Sequence, residues 1–253
     1  MFSWLHPART PLVVAHRGSS AVAPENTLAA FRQALEDGAD AVELDVRLTS
    51  DGEVVVIHDS QLRRTTDGRG PVRSHTWKEL QLLSAGSWFD RKFAGEKIPS
   101  LEEVLAVIGS RAGVNIEIKA DRGDRRKNEL VDRCCRIIHQ CRTPNTILVS
   151  SFDHRLLKRV RTLQPLIAIG VLVHPIKHLG RLPFSLTRTL DARYIILNGT
   201  MLRKRFIQDA HRFCAVAEYT VNSSRRLQRA LRYGVDAVMT NHPSQINSLL
   251  ERS

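Results

Sequence analysis

Eight apolar runs of strand length recur along this chain, each followed by a segment with helical spacing. No other feature limits the fold as strongly. The runs fall at residues 12–15, 41–48, 115–119, 147–150, 167–173, 194–197, 213–221 and 235–239. A ninth, at 54–57, follows Asp51-Gly52, a hairpin signal. Parallel neighbours need a crossover, so strand–helix alternation predicts a parallel sheet. Eight such units in 253 residues predict a closed (β/α)8 TIM barrel occupying residues 1–253 as one domain. A doubly wound open sheet is the rival. No G-x-G-x-x-G follows the first run, and no glycine-lysine phosphate loop occurs, which weakens that rival.

Boundary signals support the helices. Asn26 or Thr27 caps a helix carrying Leu28, Phe31 and Leu35, and Gly38 ends it. Ser223 or Ser224 opens a helix that Gly234 closes. Thr76–Glu79 and Ser100–Glu103 read as capping boxes. Helices are also expected at 124–140, 153–163, 201–211 and 244–250. Residues 60–99 show no clear alternation and read as a small insertion after the second strand. Residues 174–190 carry two prolines and no firm period.

The net charge is +12, unevenly spread. Residues 25–59 hold nine acidic and two basic side chains, whereas 181–233 hold three acidic and eleven basic ones. A basic surface favours anionic partners or simply solvates the helices. The basic surplus suits peripheral contact with anionic lipid, but no amphipathic anchor helix is visible and no apolar run is long enough to span a bilayer. No familiar nucleic-acid motif occurs, so no nucleic acid is expected. Cys134, Cys135, Cys141 and Cys214 form no C-x-x-C pair, and no signal-peptide run opens the chain, so a cytoplasmic protein with reduced thiols is expected.

In a barrel, chemistry gathers at the C-terminal ends of the strands. The first strand ends in His16 and Arg17, the second carries Glu43 and Asp45, the hairpin strand leads to His58 and Asp59, and the next carries Glu117 and Lys119. Residues two apart on a strand share a face. Glu43, Asp45 and Glu117 converging on one mouth would repel unless neutralised, and a hard divalent cation does that. Oxygen ligands suit Mg²⁺, Ca²⁺ or Mn²⁺ rather than zinc. His16 and His58 suit an acid–base pair near neutrality. Arg17 and Lys119 suit contact with a phosphate, or ion pairing with the site carboxylates. These groups together suit cleavage of a phosphodiester.

The ordered set of motifs resembles the glycerophosphodiester phosphodiesterase family. It comprises HRG at 16–18, PENT at 24–27, GAD at 38–40, E-x-D-V at 43–46, T-x-DG at 49–52 and HD at 58–59. R-T-T-x-G at 64–68 and N-x-E-I-K at 115–119 follow, with looser matches at SSFD (150–153), T-V-N (220–222) and GVDAVMTN (234–241). The resemblance implies a barrel with a small insertion, His16 and His58 as catalytic pair, and Glu43, Asp45 and Glu117 as metal ligands. It also implies Arg17 and Lys119 near the phosphate, and a cyclic phosphate intermediate formed by the substrate's own hydroxyl. Tyr219 stands where the family commonly has tryptophan, and Asn241 where it often has aspartate. Tyr219 and Phe152 are candidates for the wall of the substrate pocket; for Phe152, core packing is the alternative.

The expected activity is metal-dependent hydrolysis of a small glycerophosphodiester to sn-glycerol 3-phosphate and an alcohol. Two alternatives remain: a lysophospholipase D-like activity, and a non-catalytic binder of anionic phosphate compounds or nucleic acid. A mere binder needs neither two mouth histidines nor three carboxylates.

Overall fold

The computed structural model describes residues 2–4, 6–121, 123–140, 146–174 and 184–251. Parallel strands β1 (Leu12–His16), β2 (Ala41–Leu48), β4 (Gly113–Ile118), β5 (Ile147–Ser151), β6 (Ala168–Val173), β7 (Tyr194–Asn198), β8 (Ala215–Tyr219) and β9 (Ala237–Thr240) form a continuous sheet. Pairing of β1 with both β9 and β2 closes it into the expected (β/α)8 barrel. The outer helices are α1 (Leu28–Glu36), α3 (Leu101–Ile108), α4 (Lys127–Gln140), α5 (His154–Leu163), α6 (Phe184–Thr189), α7 (Lys204–Ala210), α8 (Ser224–Tyr233) and α9 (Pro243–Leu250).

Period-two alternation sorts each strand between two cores. Val13, Ala15, Val42, Leu44, Val114 and Ile116 face outward into the layer beneath the helices. Leu12, Val14, Ala41, Leu148, Tyr194 and Met239 fill the barrel with Trp4, whose ring lies 5.5 Å from that of Tyr194. The Trp4 indole also donates to the Thr146 carbonyl at 2.8 Å. The inward series on β1, β2 and β4 turns polar toward the mouth, where His16, Glu43, Asp45 and Glu117 continue it.

The hairpin explains how His58 reaches the site. β1 stops at His16, level with Glu43, and β3 (Val54–Val56) takes over the edge of β2 by pairing antiparallel with Val46–Leu48. The chain returns toward the mouth, and Ile57 donates to the Asp45 carbonyl at 2.9 Å. The insertion then builds its own small core from Val55, Ile57, Leu62, Val72, Leu80, Ala85 and Ile98, with α2 (Trp77–Leu80) on its edge. It rejoins the barrel where Val56 bonds to Pro99.

Both expected capping boxes form, at Thr76/Glu79 and Ser100/Glu103. Thr27 rather than Asn26 caps α1, and Gly234 closes α8 in the left-handed region. Several elements are shorter than their sequence periods. α4 begins at Lys127, α7 begins after a 3₁₀ turn at Gly199–Met201, and β8 covers only the part of 213–221 that pairs with β7 and β9. Local propensity extended these segments, whereas hydrogen-bonded neighbours set their ends. Of residues 174–190, 175–183 lie outside the described residues, as does Cys141.

Candidate active site

Three carboxylates stand inside the mouth of the barrel: Glu43 at 2%, Asp45 at 1% and Glu117 at 8% exposure. One oxygen from each lies within 4.8 Å of the others. Glu43 Oε1, Asp45 Oδ1 and Glu117 Oε1 are buried and lack a well-aligned hydrogen-bond donor. Buried carboxylate oxygens left this way are costly, and a hard cation satisfies them. The residues present therefore fit a divalent ion with oxygen ligands, and could hold one.

Fixed cations already offset part of this charge. Lys119 Nζ lies 2.5 Å from Glu117 Oε1 and 3.1 Å from Asp45 Oδ1, at ion-pair distance but off hydrogen-bond alignment. Arg17 Nε is 3.4 Å from Asp45 Oδ2. Ion pairing with the site carboxylates thus holds for both Arg17 and Lys119. Arg17 has φ 57°, which directs its backbone N–H to Glu43 Oε2 at 2.9 Å. A non-glycine residue held in that region marks a constrained turn.

Gly18 follows with φ +80°. Its freedom serves close packing of the turn against α1. A Cβ there would meet the Ala30 backbone on α1 at 2.6 Å.

The charge states follow from this crowding. Burial, then Asp45 and Glu117, push the Glu43 carboxyl well above its usual range. Burial raises Glu117 to about 7, against the pull of Lys119. Burial also pushes on Asp45, but Lys119 and Arg17 outweigh it and hold that carboxyl far below the usual range. Burial, reinforced by Arg17, lowers His16 to about 4, and burial lowers His58 as well.

Each histidine is held through Nδ1. His16 Nδ1 is 2.8 Å from Asn241 Oδ1, and His58 Nδ1 is 2.6 Å from Asp59 Oδ1. An oxygen acceptor at Nδ1 places the proton there and leaves Nε2 as the outward base. Asn241, noted in the sequence only as a departure, thus orients His16.

The structure adds residues that sequence reasoning left without a role. Asn26 donates to Asp45 Oδ2 at 2.8 Å. Glu25 bonds Arg17 at 2.8 Å and takes two bonds from Arg64, which also binds Asp59. One network therefore runs from His58 through Asp59, Arg64 and Glu25 to Arg17. Their signal was the polar content of PENT and of the segment at 64–68.

Phe152 is 38% exposed, which excludes core packing. Its ring centroid lies 6.4 Å from that of Tyr219, edge on, and Lys119 Nζ lies 5.9 Å from the Phe152 centroid. An aromatic wall therefore borders the charged floor. His154, the first residue of α5, bonds the Leu172 carbonyl at 2.8 Å.

Fold and site together define a (β/α)8 barrel with two Nδ1-anchored histidines set beside buried carboxylates. Residues 16–245 match the glycerophosphoryl diester phosphodiesterase family. A glycerophosphodiester phosphodiesterase of Caldanaerobacter subterraneus subsp. tengcongensis is 35% identical over 244 residues, covering 95% of this chain and 98% of its own. One from Bacillus altitudinis is 34% identical over 242 residues, covering 94% and 98%. An Oleispira antarctica phosphodiesterase, solved in complex with the product sn-glycerol-3-phosphate, matches with a TM-score of 0.90 at 32% identity, over 96% of this chain and 97% of that one. The chain belongs to the glycerophosphoryl diester phosphodiesterase family and is a phosphoric diester hydrolase. Among the described residues, no helix is long and apolar enough to cross a membrane.

Proposed function

We propose that this chain, acting as one barrel unit, hydrolyses glycerophosphodiesters to sn-glycerol 3-phosphate and an alcohol. The observation that carries the reading is the pairing of two Nδ1-anchored histidines with three inward carboxylates at one mouth. Glu43, Asp45 and Glu117 would hold one divalent ion, Mg²⁺ or Ca²⁺ by the hardness of the donors, with Mn²⁺ also suited. Such an ion supplies charge stabilisation to phosphoryl oxygens.

The chain's own groups supply the proton transfers. His16 backs onto a neutral amide and burial lowers it to about 4, so its Nε2 is unprotonated near neutrality and free to take the glycerol hydroxyl proton. His58 backs onto a carboxylate, which stabilises the imidazolium, so it is the better donor to the departing alkoxide. The hydroxyl oxygen bonds to phosphorus as the bond to the alcohol oxygen breaks, giving a cyclic phosphate. Water then opens the ring with the two histidines in exchanged roles. Arg17 and Lys119 hold positive charge near the phosphoryl oxygens. Phe152 and Tyr219 form the wall for the uncharged part of the substrate.

Phosphorus NMR tests this. Glycerophosphocholine, glycerophosphoethanolamine and lysophosphatidylcholine are each incubated with Mg²⁺, Ca²⁺ or EDTA. The expected result is metal-dependent release of sn-glycerol 3-phosphate from the first two, with His16→Ala and His58→Ala each slower by about 10²–10⁴-fold. Conversion of the lysolipid alone, to lysophosphatidic acid and choline, would favour the lysophospholipase D alternative. No turnover of any substrate would remove the hydrolase reading, including its metal.

A further inference from the structure

Beside Lys119 lies a cationic cleft whose arginines the proposed reaction does not use. A cavity of about 480 Å³ is walled by Leu48, Arg73, Ser74, Asp124, Arg125 and Arg126. A narrower pocket shares Leu48, Arg73 and Asp124 with it and reaches Arg47, Asp121 and Lys119. The two pockets thus adjoin through Leu48, Arg73 and Asp124, and the narrower one is lined by Lys119, which pairs with the floor carboxylates Asp45 and Glu117.

Its charge is not balanced from within. Arg47 pairs with Asp121 at 3.1 Å and donates to the His58 carbonyl, and Arg126 pairs with Glu129. Asp124 accepts from the Arg126 backbone N–H. Lys119 is committed to Asp45 and Glu117. Arg73 and Arg125 are exposed and, among the described residues, have no carboxylate at ion-pair distance. Two unpaired guanidinium groups facing one concave space repel each other, and a multiply charged oxyanion relieves that repulsion.

We propose that this cleft is a subsite for a second anionic group, a phosphate monoester carried on the alcohol half of the diester. The inference rests on the phosphodiesterase reading above. The product sn-glycerol 3-phosphate has one phosphorus, the one at the floor, so a second phosphate belongs to the leaving alcohol. The substrate then lies across Lys119, with its glycerol toward Phe152 and Tyr219 and its distal phosphate between Arg73 and Arg125.

The test compares kcat/KM for glycerophosphoglycerol and for the same diester with a phosphate on its distal glycerol, at low ionic strength. The phosphorylated diester should be preferred about tenfold or more, mainly through KM, and added salt should shrink the preference. Charge reversal in the Arg73→Glu/Arg125→Glu double variant should bring the ratio near one or below it. Arg73→Lys/Arg125→Lys should keep part of the preference. A wild-type ratio near one, or a preference that survives charge reversal, overturns the subsite alone. Failure to turn over either diester overturns the phosphodiesterase reading and the subsite with it.

Discussion

Lys119 Nζ sits 3.1 Å from Asp45 Oδ1, so a lysine at the end of β4 neutralises a carboxylate buried on the neighbouring strand. The same ammonium faces Glu117 and the Phe152 ring. It is the point where floor, wall and cationic cleft meet. Lys119→Met should lower kcat by about 10²–10³-fold, in the range seen when one stabilising group is removed from a developing anion. Steady-state kinetics on glycerophosphocholine checks this. A change confined to KM would assign Lys119 to binding shared equally by the ground and transition states.

Glu43 and Glu117 make metal-free stability depend on pH. Burial raises both carboxyls on folding, Glu117 to about 7. A group raised on folding contributes stability below its unfolded value and loses it as pH rises through the folded one. His16 and His58, lowered on folding, act in the opposite direction below about pH 6.5, so in EDTA the protein should lose thermal stability between about pH 6.5 and pH 8, and Mg²⁺ or Ca²⁺ should restore it at the upper end. Glu43→Gln removes one of the titrating groups. It should melt a few degrees above the unmutated protein in EDTA at about pH 8, show no gain at about pH 5, and respond weakly to metal. Equal melting curves at the higher pH would contradict this account.

Phe152 stands half in solvent beside Tyr219. Truncation there removes contact area without touching a proton donor or acceptor. Phe152→Ala should raise KM several-fold with kcat little changed, because binding shared by ground and transition states is what is lost. A large fall in kcat would move Phe152 from the wall into positioning of the phosphate.

Gly18 fixes how closely the HRG turn approaches α1. Its φ of +80° and the 2.6 Å that a Cβ would leave to the Ala30 backbone allow no side chain. Gly18→Ala should cost about 2–4 kcal/mol, combining overpacking with left-handed strain. Urea denaturation measures it. A loss under about 0.5 kcal/mol, within the range of ordinary surface substitutions, would mean the turn relaxes freely.

Much of the site was legible because a strand has a period of two. That period put Glu43 with Asp45, and Glu117 with Lys119, and the strand count supplied a mouth for them to meet in. His16 and His58 were legible as polar groups at the ends of apolar runs. Asn26, Glu25 and Arg64 were not, because a loop has no period from which to read direction. The role of Phe152 stayed open for the same reason.

The sequence by itself determined the alternation, the inward row of carboxylates and the two mouth histidines, since each follows from local spacing and from burial on one face. Only the tertiary structure decided which distant groups complete them. Asn241 lies 225 residues from the His16 it orients, and Arg64 lies 39 from Glu25. Closing the barrel brings the last strand beside the first, and the return of β3 carries the insertion over the mouth. Contacts of that kind depend on where the sheet closes and where loops turn back, and no pattern confined to one segment of the chain records either.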